Sequence, residues 1–198
     1  MPGGGMVSPP PGRWTTDPPD VDLPAEWDPA SGPPRPIVWA ALTASQAESA
    51  WLGLNEWVEK LRYDRLIPAA VIPPFWHRHQ VLVEHLTALW THYRAAYDDQ
   101  QHGSAPFGFT RDLDEWKNRM RETVAQVGCR IDSCRPEQIL RWPGEPEPDP
   151  ASYPPPVNLA NRYDDIITLI LWDVRRRHLI EQQAIADAAQ QADLERGE

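Results

Sequence analysis

Proline decides where this chain can be ordered. Of its 23 prolines, eleven fall in residues 1–36 and seven in residues 143–156, leaving five for the remainder of the 198 residues. A proline fixes φ and has no amide hydrogen, so runs such as "DPPD", "GPPRP" and "YPPP" cannot occupy a helix interior or a central strand. The chain therefore divides into a Pro-rich acidic tail (1–36), an ordered domain (37–142), a Pro-rich linker (143–157) and a C-terminal segment (158–198). The tail has too few aliphatic residues to offset its ordering entropy and is expected to be disordered. Trp14, Trp27 and Trp39 stand out there, as aromatics that dock on the domain or engage a partner.

Charge follows the same division. The net charge of −10 is made of −3 in residues 1–36, −1 in 37–142 and −6 in 143–198. A near-neutral domain between acidic ends does not suit a phosphate backbone or an anionic membrane as main partner. The most apolar stretch, "IITLILW" (166–172), is flanked by Asp164, Asp165 and Asp173, far short of the roughly 20 apolar residues of a membrane span. The start carries no apolar run of signal-peptide length, so a cytoplasmic location is expected. Cys129 and Cys134 are too few for a disulfide framework and are read as free thiols.

Helical periodicity dominates the ordered parts, and no strand alternation competes with it. In the first helix, "SQAE" (45–48) fits a capping box, and Ala47, Trp51, Leu54, Trp57, Val58 and Leu61 gather on one side as far as about Tyr63. A second helix is expected from Pro74, at its first position, to about Asp98. A third should start near Thr110, carry the stripe Leu113, Trp116, Met120, Val124, Val127, and end at Gly128. A last helix begins near Asn158, with "IITLILW" expected to be buried on most sides. Beyond it, Ile167, Leu171, Val174, His178, Glu181, Ile185, Ala188 and Ala192 follow a weak 4-3 coiled-coil spacing. The expected fold is all-α: a small Trp-rich domain of about three core helices plus a long C-terminal helix that frays at its end.

Four of the six histidines lie in "PPFWHRHQVLVEHLTALWTHYRAAYDD" (73–99), the segment most like a site. Wound as one helix at about 100° per residue, His79 falls on the apolar face with Phe75, Leu82, Leu86, Leu89 and Trp90. His85 and His92 fall on its flank, and His77 points away. No two are three or four residues apart, the spacing by which histidines of one helix share a zinc ion. Cys129 and Cys134 lack CxxC spacing and make poor partner ligands. No catalytic, cofactor-binding or metal-ligating residue is therefore assigned. Trp76, His79, Leu86, Leu89 and Trp90 are read as a packed core, and His85, His92 and Trp57 as an interaction edge.

"WLGLNEWVEKL", "IPPFWHRHQVLVEHLTALW", "LDEWKNRMRETV" and "GCRIDSCRP" together resemble an uncharacterised Trp-rich actinobacterial domain family of unknown function. That family occurs in plasmid, phage and integrative-element proteins. The likeness covers about residues 45–136, with Pro74, Trp76, His79, Leu86, Ala88, Leu89 and Trp90 on its pattern. It implies a mobile-element setting and transfers no activity. The expected function is that of a non-catalytic accessory or adaptor acting through protein contacts, with self-association through residues 158–195 and no cofactor. The alternatives are a nucleic-acid-associated regulator or conjugation accessory, and an enzyme using His85 or His92 as acid or base beside a carboxylate.

Overall fold

The computed structural model describes residues 34–136, 142–146 and 153–196. The expected disorder of residues 1–33, with Trp14 and Trp27, and residues 147–152 of the Pro-rich linker lie outside the described residues. Four α-helices form: α1 (Ala44–Asp64), α2 (Gln80–Ala96), α3 (Ala105–Val127) and α4 (Arg162–Arg196), with one-turn 3₁₀ helices at Trp39–Ala41 and Trp76–Arg78. The described chain contains no strand, so the fold is all-α, Trp-rich and closed by a long C-terminal helix.

Helix α1 starts before the predicted serine. The Thr43 hydroxyl accepts from the Gln46 amide, and the Gln46 side chain accepts from the Thr43 amide, completing a capping box two residues earlier than "SQAE". Both tetrads satisfy the pattern, but only the Thr43 start brings Ala44 against the rest of the molecule, where its amide donates to Glu181 at 2.7 Å. Helix α3 likewise starts five residues before Thr110, with Pro106 in its first turn, and ends as predicted at Gly128 with φ 69°. Helix α4 starts at Arg162 rather than Asn158, because Asn161 Oδ1 accepts from the amides of Tyr163 and Asp164.

The second helix differs most from expectation. A 3₁₀ turn occupies Trp76–Arg78, His79 is extended (φ −123°, ψ 110°), and α2 begins only at Gln80. The pair Pro73–Pro74 disfavours α geometry upstream, and the turn closes through Trp76, Arg78 and His79 amides on carbonyls three residues back. His77 and His79 therefore precede the helix; His77, which the helical wheel pointed away from the core, is buried, and so is His79, which the wheel set on the apolar face.

Two antiparallel pairs build the core. In the first, α2 and α3 are held by Trp116, whose indole donates to the His85 carbonyl, and by Phe109 against Tyr93 and Tyr97. In the second, α4 runs back along α1, so that Ala44, Trp51 and Glu59 meet Glu181, Asp173 and Arg162 in turn. The pairs join where Gly53 faces the Trp90 ring so closely that a Cβ there would lie 2.9 Å from it. Trp39, Trp51 and Trp76 form a chain of rings with centroids 4.4 and 6.3 Å apart. The Trp39 indole donates to Thr87, which anchors the end of the tail segment on α2.

Only one side of α4 is used. Asp165, Ile166, Leu169, Ile170 and Asp173 are buried, whereas Ile167 and Leu171 are exposed, so "IITLILW" is amphipathic rather than buried on most sides. The excess of apolar residues there supplies a second face, not a deeper burial.

Candidate functional site

The residues just before α2 form two buried polar clusters facing opposite ways. The first is centred on Asp165, on the inner face of α4 and fully buried. Arg78 donates to both carboxylate oxygens, through Nε at 2.8 Å and Nη2 at 2.6 Å. His77 Nε2 lies 2.7 Å from Oδ2, and the Asn158 amide donates to Oδ1 at 2.6 Å. Arg78 also donates to the carbonyls of Pro155 and Pro156, so the end of the linker is pinned to the same knot. Burial raises the Asp165 pKa, but the hydrogen bonds from His77, Arg78 and the Asn158 amide outweigh it and hold the carboxyl well below its ordinary range. Burial, with the nearby Arg162 and Arg78 charges, lowers the His77 pKa against the raising effect of Asp165.

A cleft of about 300 Å³ opens beside this knot, walled by Trp39, Trp51, Trp172, Arg176 and Arg177. Asp173 on its floor accepts from Trp51, Arg176 and Arg177. The His77 side chain is wholly inaccessible to solvent and its carboxylate is saturated by donors. The arrangement clamps the linker and α4 to the start of α2.

The second cluster is centred on His79, which is fully buried. Its Nε2 lies 3.3 Å from Cys134 Sγ, and the donor atoms of His79, Cys129 and Cys134 all fall within 4.8 Å of one another. Gly128, in the left-handed conformation, turns the chain at the end of α3 and delivers Cys129 into the interior. The Arg130 amide then donates to the Ser133 carbonyl at 2.8 Å, closing the loop that returns Cys134 beside Cys129. The side-chain interaction with Cys134 lowers the Cys129 pKa against the opposing effect of burial. The same interaction, together with burial, raises the Cys134 pKa. A cavity of about 710 Å³, lined by Val124, Cys129, Arg130 and Asp132 among others, adjoins Cys129.

The structure brings these cysteines together with a histidine that the sequence reading did not pair with them. The pairing was sought along one helix, whereas it is made between the chain before α2 and the loop after α3. The C-x₄-C spacing of Cys129 and Cys134 falls within the two-to-four-residue spacers found in zinc sites, and was the available signal.

The remaining assigned residues separate into core and surface. Trp76, His79, Leu86, Leu89 and Trp90 are all buried. Trp57 is buried too, its ring 5.8 Å from Tyr93, and lines no open edge. His85 is half-buried, and His92 is exposed and 3.1 Å from the exposed Asp112. Neither is placed beside a buried carboxylate; among the described residues that position belongs to His77. The charges on the exposed side of α3 pair locally, Lys117 with Asp114 and Arg119 with Glu115.

The outer side of α4 carries exposed apolar side chains. Ile167, Leu171, Ile185 and Ala188 recur along it, roughly 120° round the helix from the buried residues, while Val174 of the same 4-3 series packs partly against the core. Leu171 is 61% and Ile185 71% exposed. Among the described residues, no helix is long and apolar enough to cross a membrane. Fold and surface thus define a Trp-rich, all-α protein with two buried polar clusters and a projecting helix. No protein-family model, curated protein or solved structure matches the chain.

Proposed function

We propose that this chain is a non-catalytic accessory or adaptor protein of an actinobacterial mobile element, acting through protein contacts made by the outer side of α4. The exposed stripe from Ile167 to Ala188 is the observation that carries this reading. Its 4-3 spacing is that of a helix seam rather than of a surface that only meets water. A second copy of the same helix is the simplest occupant, and the two alanines of the seam set a weak, concentration-dependent association.

Sedimentation equilibrium on the full chain tests it. The apparent mass should rise towards that of a dimer at high micromolar concentration, and the double variant Leu171→Glu/Ile185→Glu should remain a monomer with unchanged helicity. A strictly monomeric parent chain over the same range would overturn self-association. The mobile-element setting is tested separately by the genes beside this one, where transfer, replication or phage-assembly genes are expected.

A further inference from the structure

We propose that His79, Cys129 and Cys134 bind one zinc ion, which fastens the start of α2 to the loop after α3. Two sulfurs and one imidazole nitrogen are the soft and borderline donors that zinc prefers. Bonds of about 2.3 Å to sulfur and 2.0–2.1 Å to nitrogen, arranged tetrahedrally, space the donor atoms about 3.5–3.8 Å apart. The cluster already meets that scale, with 3.3 Å between Cys134 Sγ and His79 Nε2 and every donor pair within 4.8 Å. Side-chain adjustments of less than about an ångström would complete it.

The surroundings fit a built ligand set rather than a chance meeting of polar side chains. Each donor is placed by backbone geometry: His79 by the extended residue between the 3₁₀ turn and α2, Cys129 by the left-handed Gly128, and Cys134 by the Arg130–Ser133 hydrogen bond. His79 and Cys129 are buried while Cys134 is only half-buried, so an ion could enter past Cys134. Three protein donors leave one tetrahedral position, and the cavity beside Cys129 has room for a water there. Binding converts two thiols to thiolates, and the two protons released go to solvent. The site is independent of the α4 stripe and survives or fails apart from it.

The test uses the full chain, reduced, treated with chelator and then titrated with Co²⁺ and with Zn²⁺. Cobalt should give a thiolate charge-transfer band and the intense visible bands of tetrahedral coordination, saturating at one ion per chain and abolished by equimolar zinc. Zinc should also raise the Tm. Cys134→Ser, whose site is at the surface edge, should keep the parent's circular dichroism and weaken binding by more than the roughly 100-fold that follows loss of a group merely supporting a ligand. His79→Gln and Cys129→Ser should lose the bands as well. The proposal is overturned if the reduced chain shows no tetrahedral cobalt spectrum, or if Cys134→Ser binds as tightly as the parent. It is equally overturned if the thiols only form a disulfide with a mild oxidant and no ion binds before oxidation.

Discussion

Asp165 shows how a single side chain can hold distant segments together, and what that costs when it is removed. It neutralises Arg78, accepts from His77 and receives the Asn158 amide, with no exposed surface. Breaking one side of such a buried pair leaves an uncompensated charge and costs about 3–5 kcal/mol. Asp165→Asn should therefore lower the urea midpoint sharply with little change in the slope of the transition. The pH dependence follows from the two shifted groups. His77 titrates in the unfolded chain near pH 6.5 but lower in the folded one, so unfolded chains bind the extra proton first and stability should fall as pH drops below that value. Asp165, also lowered on folding, adds stability above the ordinary carboxylate range that is lost as pH falls further. His77→Gln should flatten the first part of that decline, read by urea unfolding at pH 7.5 and 5; an unchanged slope would show that His77 titrates alike in both states. None of this was legible in the sequence. Asp165 looked like one of several acids flanking an apolar run, and its side-chain partners His77 and Arg78 lie more than eighty residues away.

At the level of elements, the apolar periodicities were a sound guide to which helices exist, but not to where they begin. Thr43 and Ser45 both open a capping pattern, and local sequence alone does not rank them. The structure does, and substitution should agree: Thr43→Ala should cost about 1 kcal/mol, whereas Ser45→Ala should fall within about 0.5 kcal/mol of the parent. Equal effects would place the helix start elsewhere. The segment before α2 is the more instructive failure. Treating residues 74–98 as one helix put His77 outside and His79 on the core face, whereas the break at His79 buries His77 and sets His79 beside Cys134. Gly53 lies within α1, where glycine is a weak helix former. Its lack of a side chain admits the edge of Trp90, so Gly53→Ala gains helix propensity yet should destabilise the protein by about 1–3 kcal/mol through overpacking. A stabilised variant would mean that the Trp90 ring yields freely.

For the molecule as a whole, α4 belongs to two structures at once. Its first half completes the core through Ile166, Leu169 and Ile170, and the last described tie to the domain is Glu181, accepting from the Ala44 amide at the start of α1. A carboxylate there also faces the positive end of the α1 dipole. From residue 182 the helix continues to Arg196, about 22 Å at 1.5 Å per residue, with most of its side chains exposed. The sequence revealed the stripe that runs along this helix but not that the stripe and the buried face are different sides, because six apolar residues in "IITLILW" mask the division. Two truncations separate the roles. A chain ending at Glu181 keeps every buried residue of α4 and should retain its Tm to within about 2 °C, while losing the concentration-dependent increase in mass. A chain ending at Trp172 removes Asp173, leaving the buried Trp51 indole without its acceptor and Leu42 without the Arg177 guanidinium. The stranded indole alone should cost about 1–3 kcal/mol, so this shorter chain should melt well below the parent. If the Glu181 truncation instead melts with the shorter one, the distal helix supports the fold and its outer face is not free for a partner.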